Sequence, residues 1–303
     1  MDALLLGLDI GGTKSAAVVG DADGSVLARV AAPTPRDSWQ EAVALLCDLC
    51  RQVCREHGVP IADMAALGVS CGGPLDSATG TVYAPPNLPA WEAVPLRGLL
   101  EAEFGLPTRL ENDANATALA EHRWGAGQGC RDMAFLTMGT GIGAGLILDG
   151  KLYRGRRDLA GEVGHAVVLP NGPPCPCGKR GCLEALASGT SLARMGRERY
   201  GEDGLSAHDV CARARLGEEI AQGVIADVAL YMGIGLANLL HTLNLERIVL
   251  GTLAVHAADL LLDPIRAATQ AHCWPRVWEG VSLLPAALGD AAQDKAALAV
   301  ALL

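Results

Sequence analysis

Residues 173–184 read PPCPCGKRGCLE. Cys175, Cys177 and Cys182 fall within eight positions, and Glu184 follows two residues after the last of them. Thiols this close in sequence can form a disulfide, exchange electrons as a dithiol, or coordinate a metal. The interleaved prolines and glycines favour tight turns over a regular helix or strand. The local spacing leaves all three chemistries open. The other seven cysteines are scattered, and Cys47, Cys50 and Cys54 recur at i, i+3 and i+7 in a leucine-rich stretch. That period predicts the buried face of a helix and not a metal site.

Two glycine turns form a second group. DIGGTK (9–14) sets Asp9 at the end of an apolar run, with Gly11 and Gly12 behind it. Backbone N–H groups exposed in such a turn can face phosphate oxygens, Thr13 can donate its hydroxyl, and Lys14 adds charge. The run is neither GxxxxGK[ST] nor GxGxxG, so the nucleotide folds those motifs mark are not supported. MGTGIGAG (138–145) is the second turn, with Gly139, Thr140 and Gly141 at its head. A lone glycine hairpin is more often structural, but two at strand ends can hold phosphates together. The third element is ENDAN (111–115), where Asn112 and Asp113 sit between an apolar strand and a helix. Alone, such an acid reads as an ordinary helix N-cap. Beside two phosphate turns it can accept a proton from an attacking hydroxyl.

The elements that must position these groups alternate. Residues 4–10 and 15–20 read as strands, DADG (21–24) as a hairpin turn, and SVLARV as a third strand. Helical periodicity runs over 38–57, with Ser38 as N-cap and Gly58 as the stop. LGVS (67–70) is a buried strand leading into CGGPLD, and YAPPNLPAW (83–91) is loop-rich. A helix near 95–105 and the strand PTRLEN precede the helix after ENDAN. From 133 the opening repeats, as strand, glycine turn and strand with a hairpin at Asp149–Gly150. The repetition of 4–20 at 133–149 predicts a duplicated α/β unit, at a spacing too long for a solenoid. The final stretch, 286–303, is expected to return as a helix covering the first lobe.

Composition sets outer bounds. A chain of 303 residues exceeds one compact core, so two lobes are expected. The net charge of −10 argues against a nucleic-acid surface and against binding anionic membranes. The first residues, MDALLLGLDIGGTK, lack the pattern of a signal peptide, and no uninterrupted apolar run approaches the ~20 residues of a transmembrane span. A cytoplasmic location follows as the expectation, and a reducing compartment disfavours structural disulfides.

DIGGTK, ENDAN, GTGIGAG, GEVGH and CPCGKRGCLE, in this order, resemble the ROK family of repressors, open reading frames and sugar kinases. The resemblance covers nearly the whole chain. It implies an α/β, two-lobed actin-like ATPase (ribonuclease-H-like) fold with a cleft between the lobes. The smaller lobe is expected over residues 1–113 plus about 287–303, and the larger over 114–286. It implies ATP-dependent transfer of the γ-phosphate to the 6-hydroxyl of a hexose, most commonly glucose, as in the first step of glycolysis. N-Acetylmannosamine, N-acetylglucosamine, fructose and allose are the alternative acceptors.

By the same resemblance, His165, Cys175, Cys177 and Cys182 hold one structural zinc, a set that fits tetrahedral zinc chemistry. Glu162, His165 and Glu184 bind sugar hydroxyls, as do Asn112 and the backbone at Gly73, with His165 using one ring nitrogen for zinc and the other for sugar. Asp113 is the general base. Gly11, Gly12, Thr13, Lys14, Gly139, Thr140, Gly141 and Gly251 belong to the nucleotide site, with Asp9 contributing to Mg²⁺ through water. Partners are the hexose and Mg-ATP, with no nucleic acid and no membrane, in a homodimer or homotetramer. Two positions depart from the family pattern. Thr252 follows Gly251 where two glycines are common, and Gly72 stands where many family sugar kinases have proline. The rival class, a sugar-sensing regulatory protein, is expected to carry a DNA-binding helical domain before the first glycine turn, which here begins at residue 9.

Overall fold

The computed structural model describes residues 3–303; Met1 and Asp2 of the opening stretch lie outside them. The chain divides into two compact units. The first is Met1–Gln128, Arg154–Asp158 and Ala287–Leu303, and the second is Gly129–Tyr153 and Leu159–Ala286.

In the first unit, β1 (Leu5–Ile10), β2 (Lys14–Gly20) and β3 (Val26–Pro33) form an antiparallel meander. Helix α1 (Trp39–His57) follows, capped by the Ser38 hydroxyl, which accepts from the Glu41 N–H, and ended by left-handed Gly58. Cys47, Cys50 and Cys54 lie on its buried face, as their spacing predicts. Strand β4 (Ala66–Cys71) pairs parallel with β1, and a short hairpin, β5 (Leu75–Asp76) and β6 (Thr81–Val82), comes next. Helix α2 (Leu96–Phe104) leads to β7 (Thr108–Asn112), parallel to β4, and to α3 (Asp113–Trp124). The sheet order is β3-β2-β1-β4-β7.

The second unit repeats this plan. Strands β8 (Met133–Leu136), β9 (Ala144–Leu148) and β10 (Lys151–Leu152) form the antiparallel part. Then come α4 (Leu183–Ala187), α5 (Gly189–Tyr200), α6 (Ala207–Arg215) and α7 (Glu219–Leu243). After them follow β11 (Arg247–Leu250), α8 (Leu253–His256), α9 (Ala258–His272), α10 (Pro275–Trp278) and β12 (Ser282–Pro285). With β11 parallel to both β8 and β12, the order is β10-β9-β8-β11-β12. The two sheets thus share strand order and direction, and each glycine turn follows the corresponding strand, β1 or β8.

Helix α7 is the one described helix with the length and apolar composition of a membrane span. Its Ala221, Val224, Val228, Met232, Leu236 and Leu240 recur at three to four residues and are buried, and it packs on α4, α6 and α9. It is the core helix of the second unit.

The chain ends in α11 (Ala292–Ala301), which covers β1 and β4 of the first unit, as expected of the C-terminal stretch. The close fit depends on paired glycines. Gly7 and Gly68 are register partners, and a Cβ on Gly68 would lie 2.1 Å from the Ala297 carbonyl oxygen. Helix α3 packs against α11 within this first unit, whereas the expected boundary at residue 113 assigns it to the other lobe. Its small buried residues Ala116 and Ala120 meet Ala296, Ala299 and Val300 of α11.

Candidate active site

The expected site residues fall into two sets, one in each unit. In the first, the Gly11 N–H donates to the Lys14 carbonyl at 3.1 Å, which closes the turn after β1. Thr34 secures it, its hydroxyl donating to the Gly11 carbonyl at 2.8 Å and its N–H to the Thr13 carbonyl at 3.1 Å. Thr13 and Lys14 are exposed at the turn. A Cβ on Gly12 would lie 2.5 Å from Cβ of Asn87, so the 83–91 loop rests on this glycine.

Asp9, near the end of β1, is pushed up to about 7, first by desolvation and then by the negative charges of Asp294 and Asp113; Arg29 and Lys14 oppose the shift. Asp294 of α11 is itself held by Arg29, whose Nε donates to both carboxylate oxygens at 3.0 and 2.8 Å.

At the junction of β7 and α3, Asn112 acts as N-cap, its Oδ1 accepting from the Ala114 N–H at 3.0 Å. Asp113 Oδ1 accepts from the same N–H at 2.8 Å. Asp113 is exposed by surface area, yet the protein crowding its carboxyl raises it above the ordinary carboxylate range; the Ala114 N–H and its own N–H pull the other way. A Cβ on Gly73 would lie 3.0 Å from Asn112 Nδ2, so the turn after β4 and the β7–α3 junction meet here. At Gly72 only Pro85 approaches a Cβ position, at 4.0 Å, so the departure from proline leaves open space.

Behind this junction Glu111 is buried, 1 % exposed, and takes an ion pair from Arg154 and a hydrogen bond from Asn115 Nδ2 at 3.2 Å. Desolvation raises the Glu111 carboxyl, and Arg154 pulls it down. Asp158 accepts from the Ser77 N–H at 2.7 Å and from its hydroxyl at 3.1 Å. The five residues 154–158, whose neighbours on both sides belong to the second unit, therefore dock on the first. They touch the segments that follow Gly73 and precede Asn112.

In the second unit, the Thr137 N–H donates to the Gly143 carbonyl at 2.9 Å and the Gly139 N–H to the Gly141 carbonyl at 3.1 Å. Glu184 Oε2 accepts from the Ile142 N–H at 2.9 Å, and a Cβ on Gly141 would strike the same oxygen at 2.4 Å. Its other oxygen lies 4.0 Å from Cys175 Sγ. Glu184 thus links the second glycine turn to the cysteine segment.

The candidate ligand atoms of His165, Cys175, Cys177 and Cys182 all lie within 4.8 Å of one another. His165 Nδ1 is 3.6 Å from Cys175 Sγ, and Cys177 Sγ is 3.6 Å from Cys182 Sγ. None of the ten cysteines is in a disulfide. The Gly178 N–H donates to the Cys175 carbonyl and the Cys175 N–H to the Lys179 carbonyl, which folds the segment back on itself. Desolvation and the neighbouring thiols push Cys182 up to about 12, whereas backbone N–H donation holds Cys177 below its ordinary value. Thiols crowded in this way ionise together only against a cation, and the four-residue donor set could hold a metal ion. The far ring nitrogen, His165 Nε2, points toward Glu162 Oε2 at 3.7 Å.

A family model described as the ROK family matches residues 5–302. The chain belongs to the ROK family. A glucokinase of Halalkalibacterium halodurans is 34% identical over 95% of this chain and 92% of its own length. Among solved structures, a ROK hexokinase from Thermus thermophilus is 38% identical, with a TM-score of 0.86 over 99% of this chain and 98% of the other. A ROK family glucokinase from Streptomyces griseus, solved with glucose and AMPPNP, is 33% identical, with a TM-score of 0.81 over 99% of each chain. The fold of this ROK protein is therefore the two-lobed, actin-like α/β fold of the family's sugar kinases, as the motifs imply.

Sequence reasoning missed Asn87, Arg154, Asp158 and the Arg29–Asp294 pair. Nothing in RGRRD distinguishes the arginine that folds onto Glu111 from the two beside it. Asp294 lies 285 residues from Asp9 in a helix whose composition reads as packing alone.

Proposed function

We propose that this chain is an ATP-dependent hexose kinase that transfers the γ-phosphate to the 6-hydroxyl of a sugar, with glucose as the leading acceptor. Support comes from the glucokinase and hexokinase relatives that match it end to end. The single observation that carries the chemistry is Asp113, a solvent-accessible carboxylate with a raised pKa beside Asn112 and Gly73. A carboxylate raised above its ordinary range accepts a proton more readily, which suits a general base.

In this reading Asn112 Nδ2, Glu162 and His165 Nε2 hydrogen-bond sugar hydroxyls, and Asp113 takes the proton of the 6-hydroxyl as it attacks the γ-phosphorus. Glu184 contributes by holding the second glycine turn against the sugar-binding segment, and it keeps one oxygen for ligand. The N–H groups of Gly12 and Thr13 and of Thr140 and Gly141 face the phosphates, Gly11 and Gly139 close the two turns through their own N–H groups, Lys14 adds charge, and Gly251 lies at the nucleoside end. Asp9 would hold the magnesium of Mg-ATP through water, and a cation there would favour its ionised form. Most of the rate gain in phosphoryl transfer comes from such positioning and from charge placed in advance.

His165, Cys175, Cys177 and Cys182 would hold a structural zinc, whose chemistry is that of a closed cross-link and not of a Lewis acid. His165 is then fixed in orientation, because one ring nitrogen is committed to the metal and the other is left for sugar. A cytosolic enzyme supplying hexose 6-phosphate to glycolysis, as a homodimer or homotetramer, is consistent with this chemistry.

The test is ADP release with Mg-ATP across a hexose panel, comparing wild type with Asp113→Asn. Wild type is expected to prefer glucose. The variant is expected to keep its hexose affinity and lose kcat by about 10²-fold or more. Retained kcat in the variant removes Asp113 from the base role.

A further inference from the structure

The turn after β11 carries a residue in a backbone conformation that does not suit it. Gly251–Ala254 form a four-residue turn closed by the Ala254 N–H donating to the Gly251 carbonyl at 3.2 Å. Thr252 takes its second position with φ 51° and ψ −110°. These are the angles of the second residue of a type II′ turn, where glycine is at ease and a β-branched residue is strained.

The surroundings enforce the conformation. The Gly251 N–H donates to the Leu136 carbonyl at 2.8 Å, and the Leu253 N–H to the Met138 carbonyl at 3.1 Å. The N–H groups of Val255 and His256 both donate to the Thr252 carbonyl, at 3.0 and 3.1 Å. The peptides on either side of Thr252 are thus fixed to the extension of β8 and to α8. Glycine would satisfy the same bonds without strain, and strain held in place in this way points to a use for the side chain.

That side chain is exposed and lies on the second glycine turn. A Cβ on Gly139 would be 3.6 Å from Thr252 Cγ2. Among the described residues the Thr252 hydroxyl has no hydrogen-bond partner. The two ends of the turn therefore face different groups. Gly141 and Ile142 meet Glu184 and, through it, the cysteine segment, whereas Gly139 meets Thr252.

We propose that Thr252 is a phosphoryl-donor contact, its hydroxyl donating a hydrogen bond to an anionic oxygen of a nucleotide phosphate chain lying over Gly139–Gly141. The inference rests on reading that turn as a phosphate site. The γ-methyl narrows the same space, so Thr252 tunes the donor side of the site and leaves the hexose side alone.

Three variants test it: Thr252→Ser, Thr252→Val and Thr252→Gly. The affinity for Mg-AMPPNP is measured by calorimetry, and the KM values for ATP and glucose by ADP release. Thr252→Ser is expected to bind Mg-AMPPNP within about twofold of wild type, since the hydroxyl remains. Thr252→Val, which keeps the shape, and Thr252→Gly are expected to bind it about 10-fold more weakly, the loss typical of a hydrogen bond to a charged acceptor. The glucose KM stays level in all three. Thr252→Gly is also expected to melt above wild type, which separates lost affinity from damage to the fold.

Unchanged Mg-AMPPNP affinity in both Thr252→Val and Thr252→Gly overturns the proposal, as does an equal loss of glucose and nucleotide affinity. A wild-type protein that binds Mg-AMPPNP but phosphorylates no hexose refutes the kinase reading alone, and the binding series then still decides the role of Thr252.

Discussion

Replacing Arg154 with methionine is expected to destabilise the first unit, and the size of the loss follows from where its partner lies. Glu111 is 1 % exposed and its carboxylate has two side-chain partners, Arg154 and Asn115. Removing one member of a buried ion pair leaves the other charge without compensation, at a cost of about 3–5 kcal/mol. The Arg154 side chain is 32% exposed, so water tempers the loss and the lower end, about 3 kcal/mol, applies. For a unit of roughly 150 residues, 1 kcal/mol moves Tm by about 2–4 °C, which gives a fall of about 6–12 °C. Making Glu111→Gln as well removes the orphaned charge, so the double variant is expected to recover most of the loss.

The pH dependence supplies a second check on the same pair. Without Arg154, the desolvation that already raises the Glu111 carboxyl is opposed only by the Asn115 hydrogen bond. The deficit of Arg154→Met is then expected to be largest at neutral pH and to shrink as acid protonates Glu111. Differential scanning calorimetry of the two single variants and the double variant, from pH 5 to 8, measures all of this. A Tm within about 1 °C of wild type for Arg154→Met would refute the reasoning, as would a double variant less stable than both single ones.

Two further outcomes follow from the same structure. Stripping metal with a thiol-compatible chelator is expected to lower the melting temperature of the second unit and abolish phosphoryl transfer, with zinc restoring both; full turnover by protein shown to be metal-free would contradict the proposed zinc cross-link. Asp9, raised from its ordinary value of 3.8 to about 7, holds a proton in the folded state that the unfolded chain has released, so it lowers stability progressively as pH rises through that window. Asp9→Asn is accordingly expected to raise Tm relative to wild type at pH 8 and to bring little change near pH 4, and an equal effect at both pH values would remove the titration of Asp9 as its cause.

Local chemistry made much of this legible from the residues. The α1 boundaries could be read because Ser38 and Gly58 do their capping through the nearest backbone groups, and the buried cysteines because 3.6-residue periodicity is a property of one helix. The duplication could be read from two strand–glycine–strand openings, and the shared strand order of the two sheets agrees with it. The CxCGxxGC run contained three of the four residues whose donor atoms gather closely enough that they could hold a metal ion, since tight turns bring near neighbours together. The family resemblance added His165, which lies ten residues before the first of those cysteines.

What the sequence left undecided was every relation carried by packing between distant segments. Helix α3 lies with the first unit because its alanines meet those of α11, about 180 residues away, and no local propensity records that choice. The raised carboxyl of Asp9 depends on Asp294 and Asp113, charges that only the folded chain brings near it. Arg154 and Asp158 dock beside the Asp113 junction because a buried carboxylate and a serine await them there. In RGRRD these two residues look like ordinary solvated charges. The strain at Thr252 arises in the same way, since the hydrogen bonds of its neighbours to Leu136 and Met138, more than 110 residues earlier, set its backbone angles. Periodicity, capping and turn chemistry act over a few residues and are written in the sequence, whereas desolvation, long-range charge and enforced strain come into being only when the chain closes on itself.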